Sequence, residues 1–212
     1  MCSRRAGRPL DAAKRAAIVE TAAHHFFHHG FAATAIEQIA TDAGVSKVTI
    51  YNQFGDKRAL FAAAVECECE KMRGYFSLDA MPSGSIRQRL TAIGEAVVAF
   101  LARPEMIRFD RRIAAETEHE PTIGVAFLAA GPWRMKHAFA AYLSHEVEAG
   151  ALRIADPLLA AEQFVSLCKG MGDLERRFGA DVAAETVRER IEGAVEVFLA
   201  AYAAPTASHD HR

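Results

Sequence analysis

Lys47, Thr49, Tyr51 and Asn52 place an ammonium, a hydroxyl, a phenol and an amide in one short stretch, with Ser46 before them and Val48 among them. Groups of these kinds donate to phosphate oxygens and read the edges of base pairs. The chemistry they suggest is binding to a duplex. Ile50 and Phe54 stand at i, i+4 in the same stretch and anchor a helix inward, so the polar set fans outward.

Such a set needs a scaffold, and residues 34–54 spell one out. Thr34 can cap a first helix, with Glu37 three residues on to close a capping box. Ile36, Ile39 and Ala40 give that helix one apolar face, and Ala40 is small where a second helix must cross. Gly44 sits where the chain leaves the first helix, a position suited to left-handed backbone. Val45 packs into the corner and Ser46 caps the second helix. A plain helical hairpin with a solvated face explains each feature singly. Their agreement favours a helix-turn-helix whose second helix enters the major groove. The candidate DNA contacts are Thr34, Ser46, Lys47, Val48, Thr49, Tyr51 and Asn52. Lys57 joins them because its charge opposes the dipole at the start of the next helix, an odd place for a structural lysine.

Charge distribution supports this reading. The net charge is −2, but residues 1–60 hold eight Lys or Arg against five Asp or Glu, and the rest of the chain is acidic. Arg4, Arg5 and Arg8 form a basic arm that can add phosphate or minor-groove contacts, or remain a solvated tail. The apolar fraction of 51% is ample for a core, and abundant alanine favours helix. No run of apolar residues is long enough to span a membrane, and no apolar stretch directly follows the basic start as in a secretory signal. Four cysteines without paired spacing suggest a reducing cytoplasm.

The expected architecture is all-α with about nine helices. Residues 1–10 form the arm, 11–56 a three-helix DNA-binding domain, 57–203 a second helical domain, and 204–212 a flexible tail. Helices are expected over about 12–29, from Gly55-Asp56 through Met72, over 85–103, 104–118, from Pro121, and over 132–149. Two more run over 156–178 and from Asp181 through Tyr202. Phe164, Leu167, Met171, Leu174 and Phe178 recur on the first of this last pair, and Val187, Ile191 and Phe198 on the second. These stripes can bury against each other, against the body, or against a second copy in a four-helix bundle. The second copy is favoured because one reading helix covers too few bases to be selective, and because Gly170 and Gly172 suggest a close helix–helix approach.

Other constellations carry less. His24, His25, His28 and His29 make two i, i+4 pairs, but helical phase turns His25 inward and the rest to solvent, so no metal site is expected. Cys67 and Cys69 point apart on a helix. Residues 116–120 are acidic but end a helix, and His145-Glu146 lacks the second histidine of a zincin. No nucleophile elbow, phosphate loop or dinucleotide fingerprint is present, so neither catalysis nor a cofactor is expected.

Ala43-Gly-Val-Ser-Lys47, Thr49-Ile-Tyr51, Phe54, Asp56-Lys57, Leu60-Phe61, Phe26 and Gly30-Phe31 together resemble the TetR/AcrR family of transcriptional regulators. Phe127, Gly131-Pro132, Gly150-Ala-Leu152, Asp156-Pro157, Phe164 and Leu167 resemble the C-terminal domain of its AefR-like branch. Val48 and Gln53 depart from the commoner family residues, so no operator sequence is carried over. The resemblance implies a homodimeric repressor that binds a palindromic double-stranded operator and leaves it when a small ligand binds. Met72, Phe76, Phe100, Met106, Phe109, Phe127, Trp133, His137, Phe164 and Cys168 read first as core, and the resemblance makes them a candidate pocket for a hydrophobic molecule. Arg111, Arg112 and Glu116 are candidate polar contacts there. The ligand would favour a dimer whose reading helices depart from the spacing of about 34–36 Å, with the helix after Gly55 as lever. The alternatives are a DNA-binding adaptor that answers to a protein partner, and a helical small-molecule-binding protein or enzyme.

Overall fold

The computed structural model describes residues 9–73 and 84–205, and these build eleven helices. They are α1 (Pro9–His29), α2 (Ile36–Asp42), α3 (Lys47–Phe54), α4 (Lys57–Arg73), α5 (Ile86–Leu101) and α6 (Pro104–His119). There follow α7 (Pro121–Ala130), α8 (Pro132–Glu148), α9 (Pro157–Lys169), α10 (Gly172–Arg177) and α11 (Ala184–Tyr202). Local chemistry sets many of these ends. Proline opens α6, α7, α8 and α9, where its missing N–H costs nothing. Ser85 and Gln88 close a capping box on α5, and Asp156 accepts from Leu159 N at 3.0 Å on α9. Asp56 Oδ1 accepts from Ala59 N at 2.7 Å at the start of α4.

By packing, the chain divides into two compact units that do not follow the linear split expected at residue 57. One comprises α1 to α4 with α6 and α7, and the other comprises α5 with α8 to α11. The first is centred on stacked and edge-on aromatic rings. Phe61 lies edge-on to Phe26 and Phe31 at 5.3 Å, while Phe109 of α6 stacks on Phe27 at 4.1 Å. The second buries Leu90, Ile93, Phe139, Leu143, Phe164, Ile191 and Phe198 where α5, α9 and α11 pack together. Arg153 N donates to Tyr202 O at 2.8 Å and ties the α8–α9 loop to the end of α11. Among the described residues no helix is long and apolar enough to cross a membrane.

Three local expectations change. Thr34 does not cap α2, whose N-cap is Ala35 without a side-chain bond. Thr34 is only 3% exposed, and its hydroxyl lies 2.7 Å from Gly30 O and 3.2 Å from His25 O, closing the turn after α1. No capping box forms there, since the Thr34 hydroxyl is turned back to α1, and Glu37 pairs with Lys47. The helix expected over 156–178 is two helices, since Gly170 at φ +47° ends α9 in a conformation an L side chain resists. That glycine makes a break rather than a close approach. At its start, α1 already includes Pro9 and Leu10, which the sequence places in the arm.

Candidate nucleic-acid interface

The helix-turn-helix is α2, a turn and α3. Gly44 at φ +65° makes the turn, and Val45 N bonds back to Ala40 O at 2.9 Å. Ser46 caps α3, its Oγ accepting from Thr49 N at 3.1 Å and lying 2.8 Å from the Thr49 hydroxyl. Ile50 is buried and Phe54 half-buried, as their spacing predicts, and they fix which face of α3 points out. That outward face carries Lys47, Val48, Tyr51 and Asn52, with Val48 65% exposed.

Charge on this face is organised. The Lys47 ammonium pairs with the Glu37 carboxylate and lies 5.7 Å from the centre of the Tyr51 ring. Its bond to Glu37 raises the lysine's pKa and lowers the glutamate's, so both stay charged at neutral pH. Lys57 behaves otherwise. Its Nζ donates to Ala32 O at 3.3 Å and sits 4.6 Å over the Phe31 ring, and desolvation lowers its pKa while Glu116 opposes that shift. Lys57 therefore fastens the start of α4 to the α1–α2 turn, with donors to spare for a phosphate. Thr34 has its hydroxyl spent inside the protein, which makes it a support for the interface. Arg4, Arg5 and Arg8 lie outside the described residues.

Several supports carry no sequence signal, because their partners are far apart in the chain. Glu116 of α6 accepts from Phe31 N at 3.1 Å and Ala32 N at 3.2 Å, while Arg112 donates to Phe27 O at 3.3 Å. With Phe109 stacked on Phe27, one face of α6 thus grips the end of α1. Glu116 and Arg112 were candidate ligand contacts by sequence, and here they hold the DNA-binding unit. Arg58 pairs with Glu120, and Arg15 of α1 reaches the last turn of α3. His25 is buried, with Nε2 2.7 Å from Asp42 Oδ2, and ties α1 to the end of α2. Burial lowers the pKa of His28 first, and His24, His29, Arg108 and Arg112 around it lower it further. Among the described residues no three His, Cys, Asp or Glu gather as metal ligands.

The remaining candidate residues are split between the units. Met106, Phe109 and Phe127 belong to the first, with Phe127 edge-on to Phe109 at 5.6 Å. Phe164 and Cys168 are buried in the second, where Phe100 is half-buried and Trp133 and His137 are exposed. Met72 falls in α4 but its side chain, like the whole of Phe76, lies outside the described residues. The expected dimer set also divides. Leu167, Met171, Leu174 and Phe178 are exposed, Phe178 by 83%. Phe164, Ile191 and Phe198 are turned into the core and Val187 packs against it, because α9, α11 and α5 bury that stripe within one chain. Ile191, at 3% exposure, is not an interface residue.

Comparisons with known proteins agree with this geometry. Residues 18–64 match the model for bacterial regulatory proteins of the tetR family. Residues 88–204 match the C-terminal domain of AefR-like transcriptional repressors. A TetR-family transcriptional regulator from Mesorhizobium loti MAFF303099 is similar at 26% identity and a TM-score of 0.77, over 92% of this chain and 100% of that one. The flavonoid-responsive regulator FrrA is similar at 30% identity and 0.72, again over 92% and 100%. A TetR-family regulator from Pseudomonas syringae pv. tomato DC3000 is similar at 27% identity and 0.62, over 92% and 98%. No curated protein matches the sequence. The chain belongs to the TetR family of bacterial transcriptional regulators, with a C-terminal domain of the AefR-like branch, and is a DNA-binding regulator rather than an enzyme.

Proposed function

We propose that the protein represses transcription as a homodimer on a palindromic operator and releases it when a small hydrophobic ligand binds. The observation that carries the proposal is α3 itself: a capped, inward-anchored helix whose exposed face bears Lys47, Val48, Tyr51 and Asn52. Ser46, Val48, Thr49, Tyr51 and Asn52 meet the groove, and Lys47 and Lys57, with the arm arginines, meet the phosphate backbone. Dimerisation is supported by the apolar strip Leu167, Met171, Leu174 and Phe178, and by Gly193 and the exposed Val197 on α11, a helix packed beside α9. A two-fold axis lets such a face cover itself. The two copies then present two α3 helices to half-sites about 34–36 Å apart.

The ligand reading is supported by the likeness to FrrA, which responds to flavonoids by its name. A planar aromatic molecule is the ligand class to which that likeness points. In vitro selection of duplexes from a random pool, followed by mobility-shift titration with and without a panel of flavonoids, tests the whole reading. Recovery of a palindrome that a flavonoid releases supports it, and no selected sequence at any salt concentration sinks it. A palindrome that no compound releases favours the adaptor that senses a protein partner.

A further inference from the structure

α3 is eight residues long, too short to hold its own shape or direction in water. Its angle in a groove is therefore set by what holds its two ends. The N-terminal end has Ser46, and Ile50 is anchored in the core. At the C-terminal end the last carbonyls have no partner within the helix. Tyr51 O is taken by Gly55 N at 2.8 Å. Gln53 O is taken by Arg15, whose Nη1 donates to it at 3.2 Å. The same guanidinium lies 4.2 Å over the centre of the Phe54 ring. One planar cation thus holds a carbonyl and an aromatic face in the same turn, and its charge complements the dipole at that end.

We infer that Arg15 is a specificity-determining positioning residue: it fixes the angle of α3 and so decides how well the base-reading side chains register with an operator. The inference rests on α3 being the DNA-reading helix. Arg15 is exposed, so it contributes little to overall stability. Its effect lies in geometry. An eight-residue helix is a lever of about 12 Å, so a tilt of about 5° moves its far end by about 1 Å. Paired hydrogen bonds to base edges tolerate about half that. Non-specific binding, which rests on phosphate charge, tolerates it easily.

Arg15→Lys separates the possibilities, because lysine keeps the charge but cannot stack flat on Phe54 and donate to Gln53 O together. The probes are the duplex selected by the wild-type protein and a random duplex of equal length, each titrated from low to high salt. The expected result is an operator-to-random affinity ratio about tenfold lower, with random-duplex affinity, both salt slopes and the melting curve unchanged. A ratio equal to or above wild type overturns the inference. Parallel loss on both duplexes also overturns it, and a slope reduced by about one then identifies a direct phosphate contact. A wild-type protein that prefers no duplex overturns the inference together with the reading it rests on, whereas a wild-type preference retained by the variant removes only the role of Arg15.

Discussion

The two units expose opposite chemistry. The first presents a short polar helix held by Glu37 and Arg15, while Lys57 and Glu116 fasten the α1–α2 turn. The second presents Leu167, Met171, Leu174 and Phe178, an apolar strip beside a core of interlocked rings. A polar face that must meet an anionic duplex gains from being fixed by directional bonds, because base readout is geometric. An apolar face gains affinity from area and shape, and a second copy supplies both. The contrast also shows how to tell core from interface within a single stripe. On α9 the residues at 164 and 168 point in, while 167 points out, one step away in phase.

The largest effects break the second unit. Ile191→Asp puts a carboxylate among Phe164, Cys168 and Gly94. Loss of its packing and burial of a charge cost on the order of 4 kcal/mol or more, so helical signal and cooperative melting should collapse. Leu174→Glu is the control on the exposed strip. Its helical signal and melting should stay within about 0.5 kcal/mol of wild type, while sedimentation shifts from dimer to monomer. A folded Ile191→Asp protein, or a dimeric Leu174→Glu protein, would erase the distinction between core and strip.

Next comes a buried charge. Glu146 is almost fully buried, with Oε2 2.6 Å from Arg89 Nη2, and Arg89 Nε donates to the Tyr142 hydroxyl at 3.1 Å. Arg89→Ala strands that carboxylate and should cost about 3–5 kcal/mol in a chemical melt, more than most single changes in the reading helix. A smaller loss, below about 1 kcal/mol, would mean that water reaches Glu146 once the arginine is gone.

These two sites show what sequence does and does not reveal. The helix-turn-helix is legible because its determinants are local: Gly44, Ser46, Ile50 and Phe54 lie within eleven residues and each acts on its immediate neighbours. Thr34 misleads for the same local reason, since a threonine before a helix can cap it or bond back to the preceding turn, and tertiary packing chose the latter. The break at Gly170 is hidden because Met171, Leu174 and Phe178 continue the spacing of α9, although they line an exposed side. The grip of α6 on α1 is invisible, since Glu116 meets Phe31 across 85 residues of chain. Periodicity finds stripes, but which partner covers a stripe is decided by non-local packing.

The reading face gives intermediate effects and no loss of fold. Tyr51→Ala should weaken operator binding by about 1–3 kcal/mol, roughly ten- to a hundredfold, and spare random DNA. Lys47→Ala should weaken both duplexes and lower the salt slope by about one per protomer. Both proteins should melt like wild type, because the side chains are exposed and the Glu37 pair on the surface contributes little. Equal losses on operator and random DNA for Tyr51→Ala would reassign it from base reading to backbone contact.

The smallest effects are titrations, and they separate the units by the direction of pH. In the first unit the Asp42 carboxyl is held below its ordinary value of 3.8 by its bonds from His25 and then Gln38. A depressed carboxyl stabilises fully above its unfolded value and loses that contribution as pH falls through the folded one. Wild type and Asp42→Asn should therefore differ in melting temperature at pH 6 and converge in acid. In the second unit burial pushes the Cys168 thiol from 9.0 up to about 12 and, with Glu146, the Tyr142 phenol from 10.0 up to about 12. A raised thiol or phenol makes the folded state bind more protons than the unfolded chain, so stability declines as pH climbs from 9 towards 12. Cys168→Ala should lower stability at pH 7 through the space it leaves, yet show a flatter decline above pH 9. Parallel alkaline limbs for the two proteins would mean that Cys168 does not titrate from a buried site, whereas the Asp42 comparison on the acid side would stand untouched.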